Sequence, residues 1–170
     1  MSELNLYRGK REDNKTWVSG NHLYDEISGK HFIVPFGNVE ESQKTGEDGC
    51  CYCVGFEVIS ETVGQYTGLD ACNDNSPAYT PMFKGDIAQY DDGKTKFIGV
   101  VTQDGGAWGI CTRDVIPLEL EWACCCDNFI SFWELMWNCD NPDCVMEDFV
   151  LNLTVIGNVY DNPELLEVQR

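Results

Sequence analysis

At 170 residues, 43% of them hydrophobic, the chain is long enough for one domain, or one domain with a small appended part, around a sizeable core. Against 29 acidic residues stand only 11 basic ones, a formal charge of −18. Nucleic-acid binding works by neutralising phosphates with clustered Lys and Arg, which this sequence lacks, and the same field repels anionic lipid surfaces.

The opening MSELNLYRGKRED has no apolar core of the kind a secretion signal needs, and no run approaches the ~18 apolar residues that span a bilayer. The expected setting is the cytoplasm. An acidic surface keeps a protein dispersed; the sharper alternative is a surface that imitates DNA and docks onto a basic host protein. Five Trp, seven Tyr, eight Phe and sixteen Gly favour strands over helices.

In chain order, LNLYR (4–8) alternates as a half-buried strand does, GKREDNK (9–15) is a charged turn, and TWVSG (16–20) is the return strand. Leu23 and Tyr24 lead to a DEISGK turn (25–30) and then to the strand HFIVPF (31–36). His22 and His31 fall here; neither has a partner pattern nearby, so both are read as packed or solvated rings. GNVEESQKTGEDG (37–49) reads as a surface loop and the best boundary within the chain. CCYCVGFEVI (50–59) reads as one buried strand, continued by SETVGQYTGLD (60–70) with bends at Gly64 and Gly68. DACNDNSPAYTP (70–81) is a loop by its local signs. It is no calcium loop, because Cys72 takes an oxygen-ligand position, the turn Gly is missing and no Glu closes it.

FKGDIAQYDDGKTKFIGVVTQDGGAWGICT (83–112) is the most strand-like stretch. Asp92-Gly93 and Asp104-Gly105-Gly106 are hairpin turns, and three strands so joined form a meander of the kind that curls into a small SH3-like barrel. In its first strand Ile87, Gln89 and Asp91 share one face, Ala88 and Tyr90 the other. VIPLELEW (115–122) follows, then a short helix at 128–137, where Phe129, Phe132, Trp133, Met136 and Trp137 recur at helical spacing. LNLTVIGNVY (151–160) is a strand, and Asn162-Pro163-Glu164 opens a last short helix.

GQYTGL (64–69), FKGDI (83–87) and IGNVYDNPELLE (156–167), with YRGKREDNKTWVSG (7–20), together resemble the YopX family of phage and prophage proteins, whose function is unknown. The resemblance covers about two thirds of the chain. It implies a single domain over 1–170 that is mainly β, α+β overall with little helix, built on a small SH3-like barrel. Within it lie an N-terminal β-hairpin region (1–48), barrel strands (50–122) and a C-terminal strand with a short helix (150–170). Gly85 is expected to serve backbone conformation and Asp86 to cap a turn; a catalytic Asp86 lacks a second carboxylate or a His at fixed spacing. The acidic, Cys-rich 123–149 segment is where the resemblance is weakest.

The ten cysteines are Cys50, Cys51, Cys53, Cys72, Cys111, Cys124, Cys125, Cys126, Cys139 and Cys144. A disulfide scaffold does not suit a chain without a secretion signal, and adjacent cysteines on a strand point to opposite faces. Cys50, Cys53, Cys139 and Cys144 supply the four thiolates of a structural zinc, but without the usual knuckle turn. Buried, reduced cysteines acting as small hydrophobes are the simpler reading. Walker, G-x-G-x-x-G, H-E-x-x-H and G-x-S-x-G motifs are all absent.

The expectation is therefore a non-enzymatic accessory protein with no catalytic, cofactor or metal residues, acting by binding a host or phage protein. Self-association through strand edges is a further option, while direct nucleic-acid and membrane binding are not expected. The alternatives are an acidic DNA mimic and a cysteine-based metal-binding protein.

Overall fold

A computed structural model of the chain describes residues 6–36, 43–45, 51–53, 55–73, 76–91, 93, 95–112, 128–137, 149–150 and 153–167. Among the described residues it is mainly β, with two large sheets that are antiparallel but for one short parallel pair, a two-stranded ribbon and one short α-helix, and it divides into two compact units, residues 1–66 and 67–170.

The first unit holds β1 (Tyr7–Lys10), β2 (Trp17–Asp25), β3 (Lys30–Pro35), β4 (Gln43–Thr45), β5 (Cys51–Cys53), β6 (Phe56–Val58) and the start of β7 (Gly64–Asn73). The β1–β2 and β2–β3 hairpins form at the expected turns, with Tyr7 opposite Gly20 and Asp25 opposite Lys30. β6 adds to β3, and Gly64 and Gln65 of β7 pair with Arg8 and Tyr7. The sheet then curls back on itself. Arg11, just past β1, bridges Val58, while the Ile59 N–H donates to the Lys10 carbonyl (2.9 Å) and the Glu12 N–H to the Glu57 carbonyl (3.0 Å). Gly9 makes this possible, because a Cβ there would lie 2.9 Å from the Val58 Cβ. One bridge is not a ladder, so the sheet is curled without closing into a barrel.

The sequence differs from this in two places. The apolar run at 50–59 is not one strand, since it breaks at Gly55 into β5 and β6. The stretch 37–49 is not all loop either, because Gln43–Thr45 pairs antiparallel with Cys51–Cys53. Cross-strand hydrogen bonds outweigh the polar composition there.

The second unit adds β8 (Ser76–Phe83), β9 (Asp86–Asp91), β10 (Lys96–Asp104), β11 (Ala107–Thr112), β12 (Phe129–Ser131), α1 (Phe132–Trp137), β13 (Phe149–Val150) and β14 (Leu153–Asn158). The meander β9–β10–β11 is the one its turns announce, and β12 and β14 flank it in the order β12-β11-β10-β9-β14. Among the described residues β12 and β14 do not pair, so this sheet is open and the SH3-like closure is not seen. Ala88 and Tyr90 point into a core with Met82, Phe97, Val101, Ile110, Ile130, Phe132, Leu135 and Leu153, as the face assignment of β9 requires. Gln89 and Asp91 lie outward, and the face they share with Ile87 buries only the latter.

Residues 70–73 and 76–81, despite turn-forming Asn, Ser and Pro, are strand and not loop: β7 runs to Asn73 and β8 begins at Ser76. Pro77 and Pro81 sit in β8, which among the described residues pairs with β7 alone, and an edge strand tolerates the missing donors. The helix at 128–137 shortens to α1 behind β12. Ser131 and Glu134 cap it reciprocally, the Glu134 carboxylate accepting the Ser131 N–H (2.8 Å) and the Ser131 hydroxyl accepting the Glu134 N–H (3.2 Å). The final helix is a 3-10 turn over Pro163–Leu166, and the Asn162 side chain reaches back towards the Asn158 N–H (3.4 Å) rather than capping it.

Candidate functional site

The most unusual surface is the end of the β2–β3 hairpin. From Asn21 to Lys30 every residue except His22 is exposed, because β6 extends alongside β3 only as far as His31. The hairpin projects from its own sheet. Apolar side chains crowd its end: Leu23 and Tyr24 are each 55% exposed on opposite faces, and Ile27 at the tip is 99% exposed. Single exposed apolar residues need no explanation, but three on one short projection do.

The tip is held in a fixed shape. One Asp25 carboxylate oxygen accepts the Ile27 N–H (3.0 Å) and the other the Ser28 hydroxyl (2.5 Å), while the Gly29 N–H donates to the Asp25 carbonyl (2.8 Å). The Ser28 hydroxyl first, and then the Ile27 N–H, hold the Asp25 carboxyl below the usual carboxylate range. Ile27 is thus presented by a preorganised turn, with the exposed carboxylates of Asp25 and Glu26 beside it.

Behind the tip, on the inner face of the sheet, four rings form a row. Tyr7 lies 5.1 Å from His22, His22 lies 5.0 Å from His31, and His31 lies 4.9 Å from Tyr24, centroid to centroid. The two histidines are not isolated rings. His22 Nε2 and His31 Nδ1 are 2.8 Å apart, an N–H···N hydrogen bond across the hairpin. Burial, and then the charge of His31, push the His22 pKa below its ordinary value. Spacing along the chain hides this pair, but the turn reveals it: with Asp25 opposite Lys30, His31 faces Tyr24 and stands one diagonal step from His22.

At the other end of the same face, the Arg11 guanidinium lies 3.8 Å from the centre of the Phe56 ring and pairs with Asp13. Arg11 holds the Asp13 carboxyl below its usual range, first by hydrogen bonding. Glu12, Asp13, Gly55, Phe56 and Glu57 line a recess of about 390 Å³ there.

Asp86 caps a turn, as expected. It is 1% exposed and accepts the Phe83 N–H (2.8 Å), which locks the turn into β9, and Gly85 before it has φ +88°. Gly68, one of the two expected bends, has φ +86°.

Of the cysteines, only Cys111 has a described side chain; it is half-buried in β11, with Sγ 3.9 Å from the Thr112 carbonyl. Cys51 and Cys53 are described as backbone of β5 and Cys72 as backbone of β7. Cys50, Cys124, Cys125, Cys126, Cys139 and Cys144 lie outside the described residues, as does most of the 123–149 segment. The zinc alternative therefore rests on residues whose side chains are not described. Among the described residues no three His, Cys, Asp or Glu converge as metal ligands.

A family model described as YopX protein matches residues 6–167. The chain belongs to the YopX family. No curated protein and no solved structure matches it. The stretches that carry the YopX resemblance meet in pairs. YRGK pairs with the start of GQYTGL through Tyr7–Gln65 and Arg8–Gly64. FKGDI meets IGNVYDNPELLE where the Val159 N–H donates to the Gly85 carbonyl (3.0 Å) and Asp86 pairs with Asn158. These YopX stretches are joints of the fold, and none of them lies on the projecting end of the hairpin.

Proposed function

We propose that this YopX protein is a non-enzymatic accessory protein of phage or prophage origin that acts in the cytoplasm by binding another protein, with the β2–β3 hairpin as its docking surface. The observation that carries the reading is Ile27, 99% exposed on a turn held by Asp25, with Leu23 and Tyr24 exposed on the strand that leads into it. Such a projection suits insertion into an apolar cleft, and Asp25, Glu26 and the net charge of −18 favour a basic rim around that cleft. The same proposal takes the meander and its two flanking strands as an SH3-like sheet; the bulge between Val155 and Gly157, which bends β14, supports this.

The test is capture from host lysate with the tagged full-length chain, at low and high salt, beside Ile27→Asp and Leu23→Asp. A basic protein held by the native chain and lost with both substitutions, and held more weakly at high salt, supports the reading. If the native and substituted chains recover the same proteins, the hairpin is not the docking surface.

A further inference from the structure

The histidine pair stands apart from this docking role. We infer that His22 and His31 form one shared proton site that locks the β2–β3 hairpin while the pair carries no more than one added proton, and that a second proton opens the end of the hairpin.

The geometry of the bridge leads to this. The two ring planes are only 18° apart, with centroids 5.0 Å apart, yet the facing nitrogens approach to 2.8 Å. Rings packed face to face keep their atoms about 3.5 Å apart or more, so these two meet edge to edge in nearly one plane. An edge-to-edge N–H···N contact needs one donor and one acceptor. Two neutral rings supply that arrangement. One imidazolium and one neutral ring supply a charge-assisted and stronger version. Two imidazoliums cannot, because both facing nitrogens then carry hydrogens and both rings carry charge.

The surroundings make a second proton costly. From β1 Tyr7 lies against His22, and from β2 Tyr24 lies against His31. β3 contributes Ile33 opposite His22, and β6 contributes Val58 opposite His31, both apolar and buried. Lys30 and Glu57 neutralise one another at 2.9 Å on the other face of the sheet. Glu61, in the 3-10 turn before β7, is the carboxylate that interacts with His31. Protonation of His22 runs against burial and against the charge of His31. Among the described residues no strand lies beside the hairpin beyond His31, so residues 23–30 rest on the β2–β3 ladder, the Asp25 turn, the Lys30–Glu57 pair and this bridge. The two groups titrate as a pair in two steps, with the opening tied to the lower one.

The experiment follows the ring nitrogens of the full ¹⁵N-labelled chain by NMR from about pH 8 to about pH 4, together with amide exchange along the hairpin. The expected result is two coupled steps at least about one pH unit apart. Protection of the hairpin amides falls about tenfold or more across the lower step, while Val101 and Ile110 keep theirs. His22→Gln retains a donor for His31 Nδ1, removes the lower step and leaves hairpin protection flat through the acid range. Independent titration of both rings near the ordinary value overturns the shared site, as does an unchanged acid loss of protection in His22→Gln. Because the readout is the hairpin itself, either failure leaves the docking proposal standing.

Discussion

The two units hold themselves together by different means. In the second, side chains from β8 to β14 and α1 fill a continuous core in which Met82, Ala88, Val101, Ile110, Ile130 and Leu153 are completely buried. In the first, Ile33 and Val58 are the large hydrophobics that reach full burial among the described residues. The rest is backbone closure and mixed polar–aromatic contact: the Arg11–Val58 bridge, Arg8 over Trp17 at 4.7 Å, Arg11 over Phe56, and the ring row. A core of aliphatic side chains is indifferent to pH and salt and sensitive to lost volume. A sheet closed by hydrogen bonds, cations and imidazoles has the opposite sensitivities.

That contrast can be tested from its strongest side downward. Ile110→Ala, in the centre of the second core, is expected to lower stability by about 2–5 kcal/mol in urea unfolding; a cost below about 1 kcal/mol would mean the core collapses around the gap. Asp86→Ala strands the buried Phe83 N–H and is expected to cost about 1–3 kcal/mol, visible as a lower urea midpoint without a change in slope. In the first unit Thr62 is the polar counterpart. Its hydroxyl accepts the Lys10 N–H (2.9 Å) and donates to the Ile59 carbonyl (2.6 Å). Thr62→Val keeps the shape, removes both bonds and is expected to cost about 0.5–1.5 kcal/mol, read from exchange of the Lys10 amide.

The pH dependence separates the units directly. His22 has a folded pKa below 6.5, its value in the unfolded chain, so the unfolded state binds more protons as the medium becomes acid. The stability this contributes is fully present above that value and is lost as pH falls below it. The ¹⁹F NMR signal of Trp17 in a fluorotryptophan-labelled chain, which reports on the first unit, should therefore show an unfolding midpoint that drops below about pH 6.5. A midpoint that stays level to about pH 5 would show that His22 is not desolvated. The smallest effect belongs to the exposed Lys30–Glu57 pair, where Glu57→Gln is expected to change stability by no more than about 0.5 kcal/mol.

Where the chain forms its own local ladder, the sequence is easy to read. The turns at 25–30 and 104–106, the meander between Phe83 and Thr112, the strand Leu153–Asn158 within the expected 151–160 and the turn-forming roles of Gly85 and Asp86 all follow from local chemistry. Legibility ends where a distant partner decides. Residues 70–81 carry Asn, Ser and Pro, yet pairing between β7 and β8 draws them into strands. The run at 50–59 looks continuous because nothing local marks that β6 must turn towards β3 while β5 serves β4. The candidate site was hidden for a similar reason. Ile27 looks like one apolar residue in a polar turn, and only the end of β6 beside His31 shows that among the described residues the hairpin continues without a neighbouring strand.

The order of strands in the second sheet has a bearing on how the chain is made. β9 lies between β10 and β14, and β14 leaves the ribosome long after the other two. At synthesis rates of about 5–20 residues per second, the Asp86–Asp91 segment waits seconds with one edge unpaired and with Ala88 and Tyr90 only partly covered. A nascent chain stalled before Leu153 exposes that edge for as long as it stalls. Termination before Leu153 is therefore expected to yield insoluble fragments rather than a smaller folded protein, read as the share of the chain found in the pellet.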